Sequence, residues 1–293
     1  MTQDLAHTGT DERRLHPRVA DFSTHLSGPF ASRILSDLGA EVIKIENPRT
    51  GDGNRGVSPF IHGVGNMHGA LSAGARSITV DRRSPHWATV VESCIRWADV
   101  VLVGARPSDA ARLGLDFASV AMVREDTVYC LISGYGEEGP WRDFTAHGQT
   151  MDAMAGLVPV EWEDGAPRTP IGWRSAGTTL AGIYAAVGIM YALYQRERGA
   201  HGALHVSIPV WSAAMAWSWR DVNCLSNLGE PWNEYQDLGS RYAMYGTADH
   251  RALILAPIEQ KYWQQFCDVA GLAHLRAAGS WGAGMDFGRG AAY

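Results

Sequence analysis

Basic side chains and cysteines are both scarce in this sequence. Its 293 residues hold 25 lysines and arginines against 31 aspartates and glutamates, which gives a formal net charge of −6 at pH 7. A protein that binds nucleic acid needs a basic surface to neutralise phosphate, so nucleic acid is not an expected partner. The 4 cysteines stand far apart and form no CxxC pair, so we predict reduced thiols, no disulfide framework and no metal site.

Long, purely apolar runs are also missing. Residues 1–17 are polar, unlike a secretory signal, and are predicted to be a flexible N-terminus. The most apolar segment, 178–194, is short for a membrane span and contains threonine, glycine and tyrosine throughout. Small residues on several sides of a helix favour burial against other elements of a protein core. The expectation is therefore a cytoplasmic protein with no membrane contact.

Strand and helix patterns alternate over residues 17–135. Residues 18–22 form a strand pattern, a helix pattern over 31–38 ends at Gly39, and 41–46 alternates apolar and charged residues. A strand, a helix and a strand in so short a stretch predict a parallel pair joined by a right-handed crossover. The pattern continues with predicted strands at 77–81, 100–103, 127–133 and 205–210 and helices at 87–97, 109–113, 148–158 and 178–198. The predicted fold class is α/β, with a Rossmann-like parallel sheet in a large domain.

The pattern changes near residue 225. The stretch 228–236 has a loop-like composition, 241–245 and 252–256 suit an antiparallel pair of strands, and 261–269 suits a helix. Residues 277–293 are rich in glycine and alanine and predict no element. We therefore predict a large domain over 18–224 and a smaller α+β domain over 225–293 that the chain leaves incomplete.

Several short motifs follow one another in order along the first half of the chain. They are LSGPFASRILSDLGAEVIKIE at 26–46, Arg76-Ser77-Ile78, the pieces ADV, Arg106-Pro107 and RLGLD within 98–116, and the Gly-rich loop ISGYGEEGP at 132–140. In their order and spacing they resemble the class III coenzyme A transferases, a family that includes formyl-CoA and carnitine CoA-transferases and 2-methylacyl-CoA racemases. The dinucleotide fingerprint GxGxxG is missing after the first strand, which disfavours a nicotinamide enzyme.

The resemblance implies a protein that moves CoA between small carboxylic acids through acyl-CoA thioesters, with no metal. In such transferases an aspartate attacks the thioester to form a mixed anhydride, beside a Gly-rich loop that stabilises the oxyanion. On our alignment the position of that aspartate is Gly148. Asp152 lies on the same helix face about 6 Å further along and is the candidate substitute. The alternative interpretation of Asp152 is an ordinary helix residue.

Two more residues are catalytic candidates by resemblance. His147 stands where the racemases have a histidine that resembles a general base for the carbon alpha to the thioester. The racemases also need a later aspartate, and 175–179 contains no acid. Glu259 matches a glutamate near the active site of racemase-like members, although an exposed carboxylate at a helix start explains it equally well.

The predicted CoA contacts also rest on the resemblance. They combine the start of the first helix, three arginines and the Gly-rich loop: Gly28, Pro29, Arg49, Arg76, Arg106, Gly134 and Gly136. Three hypotheses stay open: a catalytic CoA-transferase, a non-catalytic subunit or pseudoenzyme beside an aspartate-bearing relative, and a racemase- or lyase-like acyl-CoA enzyme that uses His147. Expected partners are an acyl-CoA, a carboxylic acid, and a second chain in a homodimer or a heterodimer with a related subunit.

Overall fold

Six parallel strands form the central sheet of the first of two compact units. The structure, a computed structural model, describes residues 16–230, 239–282 and 284–288. The first unit ends at Trp219 and the second begins at Arg220. The strands of the first unit are β1 (Arg18–Phe22), β2 (Glu41–Glu46), β3 (Phe60–Ile61), β4 (Val64–Gly65), β5 (Arg76–Thr79), β6 (Val100–Gly104), β7 (Val128–Ser133), β8 (Glu161–Glu163), β9 (Ala166–Arg168) and β10 (Leu204–Pro209).

The sheet has the strand order β10-β7-β6-β1-β2-β5, and every neighbouring pair in it is parallel. The pairs β3–β4 and β8–β9 are short antiparallel ribbons. The helices are α1 (Ser27–Asp37), α2 (Asn66–Leu71), α3 (Trp87–Trp97), α4 (Pro107–Arg112), α5 (Phe117–Val123), α6 (Gly148–Met154), α7 (Ala176–Glu197), α8 (Val210–Trp217) and α9 (Trp219–Leu228), the last of which contains the division between the units.

Alternation of side chains along each strand gives the sheet two apolar faces. On β6, Val100 and Leu102 point to the face that α1 and α7 cover, whereas Val101 and Val103 point to the face that α3 and α5 cover. All four side chains are fully buried. Because helices cover both faces, the central strands consist of continuous apolar residues instead of alternating ones. Each such side chain contributes about 1.5–3 kcal/mol through its removal from water.

The predicted α/β class, with a parallel-sheet large domain and a smaller second domain, is confirmed. Helix α1 begins at Ser27, before the predicted start, because Gly28 and Pro29 lie inside its first turn. Proline fits there since the first amides of a helix have no partner within it. Helix α5 was not predicted, and it begins where the Asp116 carboxylate accepts a hydrogen bond from the Ser119 amide. The predicted segment 1–17 and loop 228–236 fall largely outside the described residues.

Among the described residues, α7 alone is long and apolar enough to cross a membrane by length and composition. In the structure it packs against α1, α8 and β10. Its small residues, among them Ala181, Gly182 and Ala185, face this packing and are buried. The carbonyl of Ser27 on α1 lies so close to Gly182 that a side chain there would clash with it. The small residues of α7 are therefore explained by its place in the core, as the sequence predicts, whereas large apolar side chains on another side of the helix, such as Val187 and Tyr191, are exposed.

The second unit has an antiparallel pair of strands, β11 (Ala243–Gly246) and β12 (Ala252–Leu255), followed by helix α10 (Gln260–Val269). These match the strands and helix predicted from the sequence. The fully buried Arg241 lies at its centre, with its guanidinium 4.4 Å from the ring centre of Trp263 and 4.6 Å from that of Trp281. The same group pairs with Asp286 at 2.7 Å. A buried guanidinium between two indole rings thus organises this small unit.

Candidate functional site

A pocket of about 450 Å³ opens at the carboxyl edge of the central sheet. Segments that follow β1, β6 and β7 form its walls, together with the starts of α1, α6 and α7. Ligand sites of open parallel sheets lie at this edge, because the loops that leave the strands converge there. Six of the residues that line it are Gly28, Arg106, Gly134, His147, Ser175 and Thr178. Four of these, Gly28, Arg106, Gly134 and His147, were predicted from the sequence.

The loop 134–140 after β7 is shaped by two glycines. Gly136 has a φ of +92°, which favours glycine, and its amide donates to Ser133 Oγ at 3.0 Å. At Gly134, a Cβ would lie 2.4 Å from the Cβ of Ala146, so only glycine allows this close approach. The Gly134 carbonyl accepts a hydrogen bond from the Trp211 amide at the start of α8. Gly134 thus lines the pocket, whereas Gly136 shapes the loop behind it.

Gly148, the predicted position of the nucleophile, is closely packed against two side chains at the start of α7. A Cβ at Gly148 would lie 2.8 Å from Ser175 Oγ and 2.9 Å from Thr178 Cγ2. His147 precedes it in extended conformation as the residue before α6, and its side chain caps no helix amide. An aspartate at position 148 would therefore require the side chains of Ser175 and Thr178 to shift.

Asp152 is fully buried and is not among the residues that line the pocket. Its Oδ1 accepts from the Gly177 amide at 2.8 Å, and its Oδ2 accepts from the Ala176 amide at 2.9 Å. Both carboxylate oxygens thus satisfy amides at the N-terminus of α7, which otherwise lack partners within the helix. These contacts favour the structural interpretation of Asp152 over the catalytic one.

The polar side chains that line this pocket include two hydroxyl groups. No aspartate or glutamate is among the described residues that line it. Thr178, in the first turn of α7, donates to Ser175 Oγ at 2.8 Å, and both side chains line the pocket. Sequence reasoning did not single out these two hydroxyls. The signal available was the small, polar run that precedes the apolar pattern of α7, which is typical of a helix start.

A smaller cavity of about 240 Å³ lies near the ends of β1 and β2, with Lys44 and Asp52 in its lining. The buried Lys44 Nζ lies 2.9 Å from Asp52 Oδ2 and 3.4 Å from Asp21 Oδ2, and it donates to the Ser23 carbonyl. Burial alone would lower the pKa of Lys44, but the two carboxylates outweigh it and raise that pKa. For Asp52, burial is likewise outweighed, by Lys44 and by backbone donors, and its pKa is lowered. This ion cluster ties the segment after β1 to the segment after β2.

The predicted basic contacts divide between the pocket and the surface. Arg106 lines the pocket, where its guanidinium pairs with Asp109 at 2.7 Å. Arg76 is exposed and pairs with Glu41, and Arg49 is exposed in the turn after β2. Neither of these two lines the pocket.

Two other predicted residues also lie outside the pocket lining. Pro29 is buried in the first turn of α1, directly after the pocket-lining Gly28. Glu259 belongs to the second unit, where it directly precedes α10 and its backbone bridges to Met285.

The residues 17–285 match the model of CoA-transferase family III. The chain is 31% identical over 276 residues to succinate–glutarate CoA-transferase of Agrobacterium fabrum, which covers 88% of this chain and 66% of that protein. It is 29% identical over 187 residues to the beta subunit of succinyl-CoA–L-malate CoA-transferase of Chloroflexus aurantiacus, covering 63% of this chain and 46% of that subunit.

A CaiB/BaiF family protein of Brucella suis has the same fold, with a TM-score of 0.75 at 23% identity over 93% of this chain and 73% of that one. The chain thus spans two thirds or less of the length of the two curated relatives. Since the family match runs from the residue before β1 into the second unit, we conclude that the chain belongs to CoA-transferase family III.

Proposed function

We propose that this protein binds an acyl-CoA thioester in the pocket at the carboxyl edge of its sheet and takes part in moving CoA between small carboxylic acids. The observation behind this proposal is the family match, joined to a pocket lined by Gly134, His147 and the start of α1. The relatives compared above are named for succinate, glutarate and malate, which are small dicarboxylic acids. We place the reaction in the cytoplasm.

The chemistry needs a carboxylate that attacks the thioester carbonyl and expels CoA as a thiolate. The CoA thiolate then attacks the other acyl carbon of this mixed anhydride, which releases the first acid and leaves CoA as a thioester on the attacking carboxylate. The acceptor acid passes through the same two steps in reverse, which gives the new acyl-CoA and frees the carboxylate. Negative charge develops on the carbonyl oxygen in both steps, so donors fixed in place accelerate them. The loop after β7 and the first turn of α7 border the pocket and could supply backbone donors.

Binding of CoA provides the first test, and helix α4 offers a matched pair of variants. Arg106 and Arg112 both pair with Asp109, but only Arg106 of the two lines the pocket. We expect Arg106→Gln to weaken CoA binding about tenfold in calorimetry, in line with loss of one charge-assisted hydrogen bond. Arg112→Gln removes the same charge and should leave the affinity unchanged. Absence of binding of CoA or succinyl-CoA to the wild-type protein would overturn the proposal.

The pocket supports a second candidate, a subunit whose partner supplies the nucleophile. No carboxylate lines the pocket within the described residues, Gly148 is closely packed against the start of α7, and Asp152 is engaged with α7. We propose as partner a second chain of the same family whose own equivalent pocket contains an aspartate, so the assembly is a heterodimer. A homodimer is the alternative assembly if the chain is active alone.

Transfer of CoA from succinyl-CoA to glutarate, followed by mass spectrometry, separates the two candidates. The subunit hypothesis expects no transfer by the purified chain and a gain of transfer in Thr178→Asp, because an acid in the first turn of α7 faces the pocket and is favoured by the helix dipole. If hydroxylamine instead traps an acyl group on Asp152, then Asp152 is the nucleophile. Exchange of the alpha proton of an acyl-CoA, lost in His147→Ala, would establish the racemase- or lyase-like alternative.

A further inference from the structure

The loop after β7 is also held by a residue that lies far from it in the sequence. Glu137 in this loop places its Oε1 2.9 Å from Nε2 of His205 on β10. Both side chains are largely shielded, with 32% of His205 and 27% of Glu137 exposed. The two groups are close but not aligned as a hydrogen bond, and Glu137 Oε1 is itself buried. Attraction between them therefore depends on the charge of the imidazole.

The imidazole of His205 is held in place by aromatic neighbours. Its ring stacks on Phe117 of α5, with centroids 4.6 Å apart and planes 10° from parallel. Tyr129 of β7 lies 5.3 Å away on a tilt, and its hydroxyl donates to the Leu115 carbonyl at 2.8 Å. Because Tyr129 is buried and hydrogen-bonded, it forms a rigid support. The ring thus cannot turn away from the loop without losing its stacking contact.

The other titratable groups near this ring do not change charge near neutral pH. Burial, followed by the charge of Glu137, raises the pKa of Tyr129 and also that of the Cys130 thiol. Asp116, at the start of α5, has a lowered pKa because its bonds to Ser119 outweigh its burial. Helix α7 packs on the opposite face of β10, since Leu204 and Val206 point there. Among the side chains named here, imidazole is the one type whose charge ordinarily changes between pH 5 and 8.

The contact is linked to the pocket through the loop itself. Gly136, next to Glu137, approaches Pro209 at the other end of β10, and its amide donates to Ser133 Oγ. Ser133 and Gly134 line the pocket. The loop thus runs beside β10, with Glu137 at one end and the pocket wall at the other. A movement of Glu137 is therefore transmitted along a short stretch of backbone to the residues that line the pocket.

We propose that His205 is a positioning residue whose protonated form holds the loop 134–140 against β10 through Glu137. Loss of the imidazole proton weakens this attraction and loosens the pocket wall. The role in ligand binding rests on the proposed function, whereas the control of loop order by His205 does not. We therefore expect the loop to be ordered in acid, where an imidazole is protonated, and to loosen as pH rises.

Hydrogen–deuterium exchange of the unliganded protein tests the loop directly. We expect the loop amides, corrected for intrinsic exchange rates, to lose about threefold to fivefold protection between about pH 5.5 and about pH 8, the range for a partly shielded ion pair. Glu137→Gln should abolish this pH dependence. Glu138→Gln is the matched control, because Glu138 is exposed in the same loop and has the same charge. Equal protection at both pH values in the wild type, or the same effect from both variants, would overturn the proposal.

A charge-retaining variant then distinguishes positioning from simple packing. Arginine is planar, can stack on Phe117 and stays charged, so His205→Arg should keep the loop protected at high pH. His205→Gln should give low protection at both pH values. With bound CoA as the second readout, wild-type affinity should fall as pH rises and that of His205→Arg should not. Binding of CoA without this difference refutes the positioning role, whereas absence of any CoA binding refutes the proposed function and leaves the exchange result intact.

Discussion

Replacement of Glu46 by glutamine is expected to destabilise the first unit far more than the same change at the other end of its strand. Glu46 ends β2 with a nearly buried side chain, and its two oxygens accept from the Nε and Nη2 of Arg55, each at 2.7 Å. The Asp52 amide and Ser77 Oγ also donate to it, at 2.7 Å and 2.5 Å. Glutamine would turn an amide donor toward these donors and would remove the negative charge.

The magnitude follows from the acidity of this carboxyl. Hydrogen bonds from Arg55, which outweigh the effect of burial, lower the pKa of Glu46 from 4.5 to about 2. A shift of one pKa unit corresponds to about 1.4 kcal/mol, so the charged form of Glu46 stabilises the folded state by at most about 3 kcal/mol. Because Arg55 is 39% exposed, water screens part of the pair. We therefore expect a loss of about 2 kcal/mol in the free energy of unfolding at pH 7.

Urea denaturation followed by circular dichroism measures this loss. With a slope of ~2 kcal/mol per molar urea, the midpoint of Glu46→Gln should fall by about 1 M. Glu41→Gln is the control, because Glu41 begins the same strand, is 42% exposed, and pairs with arginines at the surface. Its cost should be less than about 1 kcal/mol.

The pH dependence gives the sharper refutation. Since the pKa of Glu46 is lower in the folded state than in the unfolded chain, its contribution is complete above about pH 5 and is lost as pH falls toward about 2. The difference in stability between wild type and Glu46→Gln should therefore shrink as pH falls from 5 to about 3. Equal costs for the two glutamine variants at pH 7, or a difference that grows with acid, would refute the reasoning.

Three further predictions address other parts of the chain. Asp152→Asn should lower the free energy of unfolding by about 2 kcal/mol in urea titrations, because the asparagine side chain has one acceptor oxygen for the two backbone amides of α7. An unchanged stability would contradict the structural role of Asp152. Arg241→Met should cost about 3 kcal/mol through loss of the ion pair with Asp286 and of the contacts with two indole rings, seen as faster proteolysis of the second unit, and unchanged cleavage would argue against this role. Cys224 should react with Ellman's reagent in the native protein, whereas Cys130 should not until denaturation, because burial raises the pKa of its thiol; early labelling of Cys130 would contradict its place in the sheet.

Periodicity alone predicts the scaffold well. The strand Glu41–Glu46 and the helix Trp87–Trp97 have the predicted bounds, because their apolar spacing is local to each segment. The resemblance to the family, and not periodicity, predicts Arg106 and Gly134 as CoA contacts, and both line the pocket. The bounds of a strand or helix depend on residues that are close in the sequence, so they can be predicted from it.

Roles that depend on distant neighbours could not be predicted. Asp152 acts on a helix that begins 24 residues later, and nothing in its local pattern distinguishes a buried cap from an exposed helix residue. Lys44 lies in a strand whose alternating pattern predicts one solvent-exposed face. Both faces of the sheet are covered, however, and the buried Lys44 is neutralised by Asp21 and Asp52. His205 and Glu137 likewise meet only once β10 has paired with β7.

The outermost strand β5 has a consequence for self-association. It has four residues, and the side chain of Arg76 at its start is 64% exposed. An edge this short, with a cation at its start, gives an incoming chain few hydrogen-bonding groups to pair with and places a charge against it. Sheet growth from this side is thereby discouraged, so a mutation that replaces Arg76 with an apolar β-former would raise the tendency to aggregate without altering the core.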